Sequence, residues 1–73
     1  MTHYTKRLRD LREDHDLTQT QIAEELGTNR NQYQLYESGR RSLPLDMLQD
    51  LCVIYDVSAD YILGLTDDPT RRK

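Results

Sequence analysis

The sequence predicts an all-α domain, on three observations. β-Branched residues are sparse outside Val53, Ile54 and Val57. Apolar residues recur at helical spacing rather than in strict alternation. The three glycines, Gly27, Gly39 and Gly64, are isolated, and each follows a helically spaced stretch, which is where a left-handed C-terminal cap places glycine. Seventy-three residues make one small domain, because a chain of this size buries only about 60% of its unfolded surface. The reading places that domain at residues 1–66, followed by a polar, flexible tail at 67–73.

Composition excludes several classes. Hydrophobic residues make up 36% of the chain and charged residues 32%, a balance that supports a packed core and argues against collagen-like, low-complexity and disordered proteins. Apolar runs such as Tyr61 to Leu65 fall far short of the roughly 18 residues a membrane span needs. The N-terminus has no apolar stretch behind its charges, so neither export signal nor anchor is expected. A single cysteine, Cys52, allows no intramolecular disulfide and no cysteine-cluster zinc site. It sits on an apolar helical stripe, as a small hydrophobe would. His3 and His15 lie too far apart for a metal pair. No metal, no cofactor and no catalytic constellation are expected, and the cytoplasm is the expected compartment.

The first helix is expected from about Thr5 to Asp14, with Tyr4, Leu8 and Leu11 on one face and Arg7, Arg9 and Arg12 among the rest. The second is announced by Thr18 as N-cap with Gln21 three residues on, a capping box, and by Leu17 and Ile22 as a hydrophobic staple around it. Gly27 ends it. Asn29 caps the third helix, which runs to about Ser38 before Gly39. At 100° per residue, Tyr33, Tyr36 and Glu37 fall on one side of this helix. Asn31, Gln34, Leu35 and Ser38 fall on the other, flanked by Arg30 and Gln32, so the outward stripe is polar and mostly uncharged. The fourth helix, from Pro44 or Leu45 to Tyr55, has an amphipathic stripe of Leu45, Leu48, Leu51, Cys52 and Tyr55, with Pro44 suited to its first turn. The fifth starts at Ser58, is stapled by Val57 against Ile62, and stops at Gly64. The five tyrosines read as core rather than as a base-stacking platform.

Two short helices joined by a glycine-containing turn, the second with a polar outer face, form the helix-turn-helix signature, here between Thr18 and Gly39. The stretch LTQTQIAEELGTNRNQYQLYESGRR, followed by LDMLQDLCVIYDVSADYILGLTDDP, resembles the lambda-repressor and Cro type of helix-turn-helix domain, the xenobiotic-response-element family of bacterial regulators. The resemblance spans about Lys6 to Leu65. It implies a compact five-helix lambda-repressor-like domain whose segment from Thr28 to Ser38 enters the major groove of double-stranded DNA. This docking geometry is the family's own.

The same resemblance implies site residues. Arg30 and Asn31 lie in the first turn, where arginine pairs with guanine O6 and N7 and asparagine with adenine N6 and N7. Gln34 follows one turn later. Gln19 stands at the start of the second helix, within reach of a phosphate or a base, next to Thr18. Gln32 flanks the outward stripe. Arg40 and Arg41 fit phosphate contacts, or complements to the C-terminal dipole of the helix before them. Leu35 stands where the family often has Arg, Lys or Gln; it either touches a thymine methyl or packs against a neighbour such as Tyr55. Tyr33 stands where many members have Ile or Val, so its ring is expected in the core with the hydroxyl reaching outward. Arg12 is expected to pair with Glu37. The expected function is a sequence-specific transcriptional regulator, a repressor of bacterial or phage type, dimeric on its operator through helices four and five and Leu65.

The alternative is an antitoxin or protein-interaction modulator on the same fold, and the charge distribution keeps it open. Ten Lys and Arg against thirteen Asp and Glu give a formal charge of −3, a poor balance for a polyanionic partner. The deficit is local: residues 1–16 are neutral, 17–27 carry −2, 28–43 carry +2, 44–70 carry −6 and 71–73 carry +3. The expected reading helix and its exit are positive, while helices four and five are acidic.

Overall fold

Local signals in the chain build five helices in the computed structural model, which describes residues 3–71. They are α1 (Tyr4–Asp14), α2 (Gln19–Glu25), α3 (Arg30–Glu37), α4 (Leu45–Tyr55) and α5 (Ala59–Ile62). Among the described residues there is no strand. The start signals are side-chain caps. His3 Nδ1 accepts from the Thr5 amide, Thr18 from Gln21, Asn29 from Gln32 and Ser58 from Tyr61. In α2 the box is reciprocal, with the Gln21 Oε1 accepting from the Thr18 amide at 2.8 Å.

The stop signals of α1, α2, α4 and α5 share one hydrogen-bond pattern. At the end of α2 the amides of Gly27 and Thr28 donate to the carbonyls of Glu24 and Ala23; at the end of α5 those of Gly64 and Leu65 donate to Tyr61 and Asp60. These are Schellman closures, which turn the chain through a left-handed residue. Gly27, Gly39 and Gly64 all have positive φ. The ends of α1 and α4 use the same closure without glycine: Asp16 (φ 55°) and Asp56 (φ 52°) hold the left-handed position, with Leu17 bonded back to Arg12 and Val57 to Cys52.

The helices pack as α2 on α3, α1 on α3 and α5, and α4 on α5. The shared core is Leu8 and Leu11 of α1, Ile22 and Ala23 of α2, Tyr33 of α3, Leu51 and Tyr55 of α4, and Val57 and Ile62. Tyr4, Leu17, Leu48, Cys52 and Tyr61 pack against it half-buried.

Four expectations need correction. Leu45 is 81% exposed, because the first turn of α4 projects beyond the core, so it does not belong to the inner stripe. Pro44 precedes α4 as its N-cap residue, with φ −64° and ψ 148°, rather than lying inside the first turn. The third helix is shorter than the expected 28–38: Asn29 and Ser38 are its caps, and the Thr28 amide is used in closing α2. The Tyr33 hydroxyl does not reach outward, since the whole residue is buried and the oxygen has no hydrogen-bond partner among the described residues.

The segment after α5 runs back over the body. Ser58 donates its amide to the Pro69 carbonyl, Asp67 pairs with Arg7 at 2.7 Å, and Arg71 lies 3.6 Å from Asp56. Arg7 also stacks over the Tyr61 ring, 4.1 Å from its centroid. The last two residues of the expected tail, 72 and 73, and the first two of the domain lie outside the described residues.

Candidate nucleic-acid interface

Three elements meet at the side chain of Arg12. Its Nε donates to Glu37 Oε2 at 3.0 Å, its Nη2 to Glu37 Oε1 at 3.0 Å, and its Nη1 to the Leu17 carbonyl at 2.9 Å. One guanidinium of α1 therefore holds both the last turn of α3 and the residue that leads into α2. The Glu37 side chain is 6% exposed and that of Arg12 15%, so the pair works in a poorly solvated setting. The bonds to Glu37 raise the Arg12 pKa further, and the guanidinium stays charged. Beneath this pair lie the buried hydroxyls of Tyr33 and Tyr55, neither of which has a partner among the described residues. Burial above all pushes both phenols well above their usual range, with the Glu37 carboxylate acting in the same direction.

This pinning leaves one face of α3 to solvent. Tyr33, Tyr36 and Glu37 are buried, while Arg30 and Asn31 are exposed and Gln32, Gln34 and Leu35 half-buried. Gln19 is half-buried at the first position of α2, next to exposed Thr18. Thr18 accepts from the Gln21 amide and donates its own amide to the Gln21 side chain, so its hydroxyl hydrogen and one lone pair remain. Arg40 and Arg41 are exposed just past Gly39. The structure thus gathers Arg30, Asn31 and Gln34 on one helix and sets Arg40 and Arg41 at its exit.

The exit is laced to the helix. The Arg41 amide donates to the Leu35 carbonyl at 3.1 Å, and Arg41 Nη1 donates to Gln32 Oε1 at 3.1 Å. Sequence reasoning missed this side-chain bond, which spans nine residues and a left-handed turn and has no local signature. It also missed the stack of Arg7 on Tyr61, which exists only because α1 packs on α5.

An open cleft of about 490 Å³ lies elsewhere, lined by Ser58, Ala59, Asp60, Thr66, Asp68 and Thr70. Its two carboxylates repel a polyanion. Among the described residues no group of three or more His, Cys, Asp or Glu gathers to hold a metal ion, and no helix is long and apolar enough to cross a membrane. Cys52 is half-buried, and burial pushes its thiol up, away from the reactive thiolate.

Comparison with known proteins agrees with this geometry. Residues 8–62 match the Helix-turn-helix family HTH_3, a span that takes in all of α2 to α5. An HTH-type transcriptional regulator of Bacillus subtilis (strain 168), YobD, is 53% identical over 66 residues, 90% of this chain and 59% of that protein. The antitoxin PezA of Streptococcus pneumoniae serotype 4 is 36% identical over 59 residues, 81% of this chain and 37% of that protein. The cryptic phage CTXphi transcriptional repressor RstR of Vibrio cholerae is 35% identical over 54 residues, 74% of this chain and 49% of that protein. The chain spans about 37 to 59% of the length of these relatives. With the helix pair, its capped turn and its polar outer face in place, the chain belongs to the Cro/C1-type, lambda-repressor-like family of helix-turn-helix DNA-binding domains, a non-enzymatic family of transcriptional regulators.

Proposed function

We propose that this chain is a sequence-specific, double-stranded-DNA-binding regulator that represses by occupying an operator in the bacterial cytoplasm. The observation that carries this reading is the exposed polar face of α3 on a helix held in place by the buried Arg12–Glu37 pair. In this reading α3 enters the major groove. Arg30, Asn31 and Gln34 address base edges, Gln19 and Thr18 meet the backbone at the start of α2, and Arg40 and Arg41 set register on phosphates. Leu35 carries no hydrogen-bonding group and serves as an apolar contact. The described residues extend 29 Å at most, less than the roughly 34 Å between half-sites, so one copy covers one half-site and the operator takes two. Leu45, Val53, Leu63 and Leu65, the exposed large hydrophobics, all lie on or beside α4 and α5 and supply the contact between copies.

Fluorescence anisotropy against duplexes enriched from a random library tests the proposal. The expected result is preference for a roughly palindromic site. Equal, weak binding to every duplex at moderate salt refutes it. Few cations face the duplex, so the salt dependence should be shallow, with a slope of about 0.9 per phosphate neutralised.

A second reading, an antitoxin or protein-interaction modulator, is favoured by the same exposed leucines on an acidic surface and by the similarity to PezA. It predicts that substitutions at Asp46, Asp50 and Asp56 abolish activity and that Arg30→Ala does not. The DNA-binding reading predicts the reverse.

A further inference from the structure

The bond between Gln32 and Arg41 changes what both side chains can offer. A guanidinium only donates, so the atom it meets at 3.1 Å has to be the amide oxygen of Gln32, and that oxygen is the only strong acceptor in the pair. What remains are the two N–H groups of Gln32 Nε2 and four of the five N–H groups of Arg41, none of which has a partner among the described residues. Both residues are also fixed at the main chain. The Gln32 amide is held at 2.9 Å by the Asn29 cap, and the Arg41 amide is held by the Leu35 carbonyl. No carboxylate neutralises the pair, because the carboxylate of α3, Glu37, is committed to Arg12.

We propose that Gln32 and Arg41 clamp a single phosphate of the bound duplex, the arginine supplying charge and the glutamine supplying further N–H donors. The proposal rests on the DNA-binding reading above and adds to it a joint site on the flank of α3. It also directs Gln32 away from base reading: a glutamine that recognises adenine presents its oxygen to N6 and its nitrogen to N7 together, and here the oxygen is directed at Arg41. Arg41 contributes charge to the site and orients Gln32; Gln32 orients Arg41 in return.

The test uses the full chain and a duplex enriched from a random library, with each backbone phosphate replaced in turn by a neutral methylphosphonate. One position in each half-site should weaken wild-type binding by about 5- to 20-fold while leaving Gln32→Ala and Arg41→Ala unaffected at that position. The double variant should bind no worse than Arg41→Ala within about 2-fold. Arg41→Ala should lower the salt slope by about 0.9, and base preference should be unchanged in both single variants. Gln32→Glu keeps an acceptor for Arg41 but has no donors, so it should lose the phosphate-specific effect; a bond that merely braces the exit would keep it. Additive losses, an altered base preference in Gln32→Ala, or no phosphate coupled to both residues overturns the clamp alone. If the wild-type chain binds no duplex, the DNA-binding reading falls and the clamp with it.

Discussion

The α2–α3 unit and the α4–α5 unit are built from similar numbers of residues but leave opposite surfaces. In α2–α3 each helix begins with a side-chain cap, the last turn is pinned by Arg12, and the solvent-facing stripe is amide-rich with positive charge at both ends. In α4–α5 the longer helix starts without a side-chain cap, the charged residues are all acidic, and the exposed positions include Leu45 and Val53. In the proposed function the pinned, capped unit is the one that reads a groove, and the unit with exposed apolar surface is the one that meets a second copy. Net charge conceals this division: residues 17–43 balance at zero and 44–70 carry −6, and the +3 of residues 71–73 brings the total to −3.

The largest expected effect is on the pin. Glu37→Ala strands a buried guanidinium and should destabilise the fold by about 3 kcal/mol, read as a lower urea midpoint at constant m-value. A loss below about 1 kcal/mol would mean that α3 is held by Tyr33 and Tyr36 alone. Next comes the reading face itself. Arg30→Ala should leave stability within about 0.5 kcal/mol and weaken operator binding by about 1–3 kcal/mol, with relaxed preference at one base pair. A uniform loss across all sequences would reassign Arg30 to the backbone.

The other unit should respond in the opposite way. Lysine at Leu45 and Leu65 should leave the stability of a single copy within about 0.5 kcal/mol, because both residues are already in solvent. The same change should weaken operator binding about 10-fold and abolish the dimeric boundary on DNA in sedimentation. If it unfolds the chain instead, these leucines belong to the core and the comparison fails.

Between the two units lie the phenols of Tyr33 and Tyr55, whose hydroxyls are buried without partners. Their pKa values are raised in the folded state, so the unfolded chain loses these protons first, near pH 10. Stability is therefore intact below pH 10 and falls as pH rises further, by about 1.4 kcal/mol per unit for each phenol. Tyr33→Phe should remove one share of that alkaline loss and Tyr55→Phe the other. Thermal unfolding at pH 7 and pH 11 checks both.

Features written within a single turn of helix were legible before the structure: the Thr18 and Gln21 box, the Asn29 and Ser58 caps, and the three glycines at positive φ. Helical periodicity also separated the two faces of α3, because Tyr33, Tyr36 and Glu37 lie within about a quarter-turn of one another. Features set by where one helix ends against another were not legible. Leu45 has the spacing of a core residue, but the core stops one turn short of it. The Tyr33 hydroxyl is buried inside the core that the helices share, and Gln32 meets Arg41 only after the chain has turned at Gly39. The family resemblance supplied the pairing of Arg12 with Glu37, which no local pattern contains.

The two aspartates at helix ends give the smallest predicted effect and the clearest comparison of the units with α1. The closures of α2, α3 and α5 use glycine, whereas α1 and α4 place Asp16 and Asp56 at positive φ, a region that costs an L-residue about 1 kcal/mol or more. A carboxylate there also opposes the negative end of the helix dipole. Asp16→Gly relieves both, against the added freedom glycine gives the unfolded chain. The net expectation is a stabilisation of about 0.5 kcal/mol. Asp56→Gly should gain less, because Asp56 lies 3.6 Å from Arg71, a weak, solvent-exposed pairing. If both substitutions destabilise, the aspartates hold these closures by bonds of their own side chains, and the shared backbone pattern is not sufficient to end a helix here.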